Sequence, residues 1–256
     1  MPNEKPYILL DNRLDDGVPT ATTTASGYDV LNLRDWRPYT YWKANTNAVH
    51  YLTVDCGSAK TADSLAILSH DLFTQGAQVS VECSSDNFSA DTTVALAAFG
   101  PTDNKAVFKT FAAQTKRYWR LKIANLTAAC FLGILAIGTR ITFPRYLLES
   151  FDPIAEEPKG ESARNPNGQI LGSVVGYIEK TARVRFQSLT TTFAESTFRP
   201  AWDLHISKFK PFFWMPDYTN RPQDAFLMAI KPGARLEMPW EGLSRRLELE
   251  LIGVKE

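Results

Sequence analysis

Net charge is the first thing this sequence lacks: 28 Lys and Arg balance 28 Asp and Glu over 256 residues. A general nucleic-acid binder needs a clustered excess of cations to displace counterions, so that class is set aside. Cysteine is scarce, with Cys56, Cys83 and Cys130 far apart. An odd, scattered set makes neither a disulfide framework nor a CxxC metal pair. Each thiol sits among small or apolar neighbours, as buried free thiols do in a reducing compartment. His50, His70 and His205 are equally dispersed, and no HExxH or Cys/His cluster appears, so no zinc or other metal site is expected. Glycine-rich phosphate loops are absent, as is the GxSxG elbow of many hydrolases, so neither a nucleotide cofactor nor a catalytic nucleophile is indicated. The acids Asp15–Asp16 and Glu156–Glu157 are chain neighbours, which does not by itself place two carboxylates across one sugar. No apolar run approaches the ~20 residues that span a bilayer, which predicts no membrane insertion. The opening MPNEKPYILLDN lacks the apolar core of a signal peptide, which predicts folding in a cytoplasm.

What is abundant is β-strand signal. Aromatics reach 12%, with six Trp, as suits pleated cores, though Trp and Tyr are also favoured at contact surfaces. VHYLTVDCG from Val49 alternates, with Gly57 as its stop, and SLAILSHDL reads as a strand covered on both faces. In AQVSVECSSD, Val79, Val81 and Cys83 point one way and Gln78, Ser80 and Glu82 the other. AVFKTFAA, RYWRLKIAN and CFLGILAIG follow, the second placing Trp119, Leu121 and Ile123 opposite Tyr118, Arg120 and Lys122. Short strands between turn residues every 8–12 positions predict a sandwich or jelly roll.

The region 143–172 is proline-rich and polar, and predicts a linker or long loop over 146–168. Domain 1–145 then precedes a second β-sandwich module at 169–256. In the second module SVVGYIEK, ARVRFQSLT, KPFFWMPDY, AFLMAIKPG and RRLELELIGV are strand-like, the last with Leu247, Leu249 and Leu251 inward. TFAESTFRPAWDLHISKF predicts one short helix, with Phe198, Trp202 and His205 on one face and Ser196 or Thr197 as cap.

Six fragments, in order over roughly 110 residues, resemble the discoidin (coagulation-factor C-type) family of galactose-binding-like jelly rolls. They are TYWKA (40–44), YLTVDCG (51–57), ADSLAILSH (62–70), GAQVSVECSSDNFS (76–89), RYWRLKI (117–123) and GILAIG (133–138). The resemblance implies an all-β chain, with an N-terminal discoidin-like jelly roll followed by a second β-sandwich. Trp42 and Trp119 then either pack in its core or meet a ligand. The disulfide that joins the ends of secreted members is missing here. The family's ligand loops vary, so candidates come from position alone: Asp35–Tyr41, Asp71–Gln75 and Asp86–Asp91, with Trp36, Tyr39 and Tyr41 as the sugar-stacking residues. The acidic stretch Leu10–Gly17 has the oxygens of a structural calcium loop, but not EF-hand spacing.

The two halves together are similar to distal-tail or tail-tip proteins of long-tailed bacteriophages. That likeness implies a non-enzymatic ring subunit of a virion tail, assembled in a host cytoplasm. Its partners would be copies of itself and other tail proteins, with Phe213 and Trp214 at the interface and no cofactor. The alternative reading is a carbohydrate-binding module for a host-surface glycan.

Overall fold

A computed structural model describes residues 5–147 and 155–254 of the chain. Its strands in chain order are β1 (Tyr7–Leu9), β2 (Thr20–Ala21), β3 (Trp42–Lys43), β4 (His50–His70), β5 (Gln78–Ser84), β6 (Thr93–Phe99), β7 (Val107–Ala124), β8 (Phe131–Gly138) and β9 (Ile141–Thr142). These are followed by β10 (Glu156–Arg164), β11 (Ile170–Thr190), a π-helical turn (Phe193–Phe198) running into α1 (Arg199–Leu204), then β12 (Phe212–Met215), β13 (Phe226–Ile230), β14 (Trp240–Glu241) and β15 (Ser244–Gly253). The protein is all-β, with two sheets and one short α-helix among the described residues. It divides into two compact units: Met1–Phe143 with Phe212–Leu227, and Pro144–Pro211 with Met228–Lys255.

In the first unit one sheet folds over on itself. Its strands run β3-β8-β4-β7-β5-β6. The first part of β4 pairs with the end of β7 (Leu52 opposite Leu121, Val54 opposite Trp119), and β5 continues that layer (Val79 opposite Ile123). The later part of β4 pairs with β8, Leu65 opposite Ile137 and Ile67 opposite Leu135. The inward side chains of both layers, among them Leu52, Val81, Leu121, Leu65 and Leu135, meet in one core with Trp42 and Trp119. Both indoles are wholly buried and satisfied: Trp42 Nε1 donates to Thr23 O at 3.0 Å and Trp119 Nε1 to Lys116 O at 3.1 Å. Asn12 ties the N-terminal segment to β8, donating to Leu135 O at 3.0 Å and accepting from Ile137 N at 3.2 Å.

Three expectations change here. VHYLTVDCG and SLAILSHDL form the single strand β4, and AVFKTFAA with RYWRLKIAN the single strand β7. The register slips between Asp55 and Lys60 instead of ending, and Gly57, at φ +70°, sits at that irregularity. From Phe212 onward, KPFFWMPDY belongs to the first unit and not the second. β12 pairs antiparallel with β1, Ile8 opposite Trp214 and Leu9 opposite Phe213, and β1 pairs with β9 on its other side.

The second unit is built on β11 and β15. Val184 faces Leu249 and Phe186 faces Leu247, and all four are buried, which is the inward leucine row read from RRLELELIGV. β15 also pairs with Met228–Ile230 of β13. The 146–168 linker is corrected over Glu156–Arg164, which is strand β10, hydrogen-bonded along β11. Its residues 148–154 lie outside the described residues. Backbone pairing supplied the order that a polar, proline-bearing segment did not advertise. The helix capping also differs: Thr190 Oγ1, not Ser196 or Thr197, accepts from the first turn, at Phe193 N (3.2 Å).

Candidate functional site

The loop after the 3-10 turn Val30–Arg34 is held by one carboxylate. Asp35 accepts from Arg37 N at 2.9 Å and from Thr40 Oγ1 at 2.7 Å, while Asn32 Nδ2 donates to Tyr41 O at 3.0 Å. This clamp fixes the loop with Tyr39 projecting, 74% exposed. Beside it Tyr41 stacks on Tyr28 (ring centroids 4.9 Å) and meets Phe131 at 5.1 Å. The hydrogen bond to the Tyr28 side chain raises the pKa of the Tyr41 phenol above the ordinary tyrosine value.

Opposite the loop lies the end of β4. Ser69 adopts a left-handed backbone (φ +55°) where β8 crosses at Gly133. A Cβ on Gly133 would fall 2.7 Å from Ser69 Cβ, so only glycine lets the strands approach this closely. His70 is buried: its Nδ1 accepts from Leu72 N at 3.3 Å, so Nε2 is the protonated nitrogen and donates to Lys105 O at 2.8 Å. Burial lowers its pKa and keeps the ring uncharged. Asn104 is oriented by Phe73 N and Thr74 N on its Oδ1 and by Thr74 Oγ1 on its Nδ2. Asp71 Oδ1 accepts from Phe131 N at 2.9 Å and fixes the start of β8.

These elements enclose a surface cavity of about 350 Å³ lined by Pro38, Tyr39, Tyr41, Leu68, Ser69, His70, Asn104 and Phe131. None of the lining side chains carries a fixed charge. Rings, a hydroxyl and an amide around a depression suit an uncharged, polyhydroxylated ligand with an apolar face.

The structure thus brings together Tyr39 and Tyr41 from the sequence reading, and adds Phe131, His70 and Asn104. It does not bring in Trp36. That indole is only 9% exposed and tilts onto Phe213, with ring centroids 6.0 Å apart, so it has no free face for a sugar. Phe213 and Trp214, expected at an interface, are both 0% exposed on β12 within the first unit, where Trp214 packs edge-on to Phe143 at 6.1 Å. Side chains consumed by their own core are not offered to a neighbouring chain. The Asp86–Asp91 loop is closed on itself: Asp86 accepts from Ser84 Oγ, Ser89 N, Ala90 N and Asp91 N. In the acidic stretch 10–17, the Arg13 guanidinium lies between Asp11 and Asp16 and pairs with both. Among the described residues no group of three or more His, Cys, Asp and Glu is arranged to hold a metal ion.

No family model matches the sequence, and no curated protein matches it. Solved structures do. A chitosan-binding module from a Paenibacillus sp. IK-5 chitosanase/glucanase is 17% identical, covering 49% of this chain and 97% of its own, with a TM-score of 0.43. The CBM32 of AlyQ, in complex with 4,5-unsaturated mannuronic acid, is 24% identical over 47% of this chain and 92% of its own, with a TM-score of 0.41. A Clostridium perfringens CBM32 in complex with GalNAc-β-1,3-galactose is 11% identical over 50% and 99%, with a TM-score of 0.43.

Proposed function

We propose that this chain binds an uncharged glycan in the groove between Tyr39 and Asn104, without a catalytic step. The observation that carries this reading is the cavity itself: an exposed Tyr39 on its rim, Tyr41 and Phe131 in its lining, and no charged side chain among its walls. The apolar C–H face of a pyranose stacks on an aromatic ring, while its hydroxyls meet Ser69, Asn104 and the tyrosine hydroxyls. Because His70 is neutral and its ring nitrogens are already bonded, it shapes the wall and leaves ligand bonding to those neighbours.

A glycan array of neutral and acidic sugars, followed by calorimetry on the hits, tests this. Neutral glycans are expected to bind, and Tyr39→Ala to weaken them by about tenfold or more, a loss of about 1.4 kcal/mol. The melting temperature should be unchanged, since Tyr39 is mostly in solvent. Binding confined to acidic glycans, or binding that survives both Tyr39→Ala and Phe131→Ala, overturns the reading.

A second reading is assembly, as a subunit of a phage tail ring. It is favoured by one observation, the uncovered apolar side chains of the β10–β11 hairpin. Mass spectrometry of purified particles tests the tail setting directly: the chain should appear in stoichiometric amount with tail proteins.

A further inference from the structure

The hairpin β10–β11 carries apolar side chains that nothing among the described residues covers. Ile170, Leu171, Val174, Val175, Tyr177 and Ile178 are between 47% and 73% exposed. The contrast within one strand is sharp: from Ala182 onward β11 buries Val184, Phe186 and Leu189 against its own unit, whereas the stretch paired with β10 buries none. Six such side chains leave on the order of several hundred Å² of apolar surface in water, the scale at which a patch signals a binding site. A two-stranded hairpin standing alone is also marginally stable.

β10 names the occupant. It is the terminal strand of its sheet, so its outer edge is unpaired. Its sequence, Glu156-Glu157-Pro158-Lys159-Gly160-Glu161-Ser162-Ala163-Arg164, is charge-complementary to its own reversal about Gly160. When two copies run antiparallel with Gly160 opposite Gly160, Lys159 falls opposite Glu161 and Glu156 opposite Arg164. Each of these occurs twice by symmetry, and no like charges face each other. A partner of different sequence has no reason to match this order. Pro158 falls opposite Ser162 and forgoes a backbone donor, which keeps the seam reversible. Pairing occupies this edge on both copies, so this seam joins two chains.

We propose that the β10–β11 hairpin is a self-association arm, joining two copies of this chain through antiparallel β10 strands centred on Gly160. Lys159 already pairs in its own copy with Glu157 at 2.7 Å and Glu179 at 3.2 Å, so in the dimer Glu161 of the other copy completes a cluster of three carboxylates around it.

The test is mass photometry and analytical ultracentrifugation of the full chain from nanomolar to tens of micromolar concentration. Wild type should show a monomer–dimer equilibrium. Lys159→Glu puts Glu against Glu twice, and Glu161→Lys puts Lys against Lys twice. Each should raise the dissociation constant about tenfold or more. The double variant K159E/E161K restores opposite charges and should recover the dimer. Glu161→Lys leaves the Lys159–Glu157 and Lys159–Glu179 pairs in place, so its effect is separable from local disruption, and circular dichroism confirms that each variant is folded. A wild-type monomer throughout overturns the proposal. So does a dimer indifferent to both single changes, a double variant that stays apart, or a hairpin protected from hydrogen exchange only when an unrelated protein is added. Glycan binding by Glu161→Lys should equal wild type, so this outcome is independent of the groove.

Discussion

Single residues show where identity and position part company. Trp36 and Tyr39 lie three positions apart on one loop and were equally attractive as sugar platforms, yet one is buried against Phe213 and the other stands in solvent. Residue type says which side chains suit a sugar; only the loop's clamp on Asp35 says which one faces out. Phe131 was missed for the opposite reason, because it opens an apolar run that reads as wholly buried. Arg120 is held on three sides in the first unit. Its guanidinium lies 4.2 Å from the Tyr51 ring centroid and 3.7 Å from that of Phe88, and it pairs with the buried Glu82 at 2.5 Å. Arg120→Ala should therefore cost about 3 kcal/mol, since it strands a buried carboxylate and uncovers two rings. Urea denaturation measures this, and a loss below about 1 kcal/mol would show that Lys122, 3.6 Å from Glu82, suffices alone. Titration adds a second expectation. Burial lowers the pKa of both His70 and His205, so the unfolded chain takes up protons at a pH where the folded chain does not. Their contribution is complete above the ordinary value of 6.5 and is lost as pH falls below it. Thermal melts should fall between pH 6.5 and 5, and His205→Gln should flatten that slope. An unchanged slope assigns it to other groups.

At the scale of elements, alternation was readable and continuity was not. Faces followed the period of two wherever one side is buried: Val79, Val81, Leu121, Ile123 and Leu249 all point inward as expected. What the pattern could not separate was a strand that ends from a strand that slips register, so β4 and β7 were each cut in two at residues that are bulges. Nor could it find β10, whose order comes from hydrogen bonds to β11 and not from burial. The aromatic groove depends on the same kind of hidden constraint. Gly133 is where β8 presses on Ser69. Gly133→Ala should destabilise the chain by about 1–3 kcal/mol through overpacking. It should also weaken glycan binding, because Ser69 and Phe131 line the groove on either side of that contact. Calorimetry with a neutral glycan should show the loss even where the variant is fully folded. Full affinity in a folded variant would mean that Ser69 relaxes without moving the wall.

For the whole molecule, the decisive feature is that sequence order and structural unit disagree. The first unit takes back residues 212–227 after the chain has built most of the second. Nothing local signals this, because β12 is apolar enough for either core and its partner β1 lies some two hundred residues upstream. The disagreement has a measurable consequence. A chain ending at Arg145 contains every discoidin-like fragment but lacks β12, so Ile8, Leu9 and Phe143 lose the cover of Phe213 and Trp214. β12 buries four large side chains, Phe212 through Met215, each at 1% exposure or less. At roughly 1.5–3 kcal/mol for each, their loss rivals the whole net stability of an ordinary domain. The shortened chain should keep its far-ultraviolet β signal, lose its near-ultraviolet aromatic signal and bind a hydrophobic dye, as expanded states do. Joining residues 212–227 to it through a flexible linker should restore cooperative melting and, with it, glycan binding at the Tyr39 groove. If the shortened chain instead melts cooperatively at the same temperature as the full one, β12 is a dispensable cover over a core already complete by Phe143.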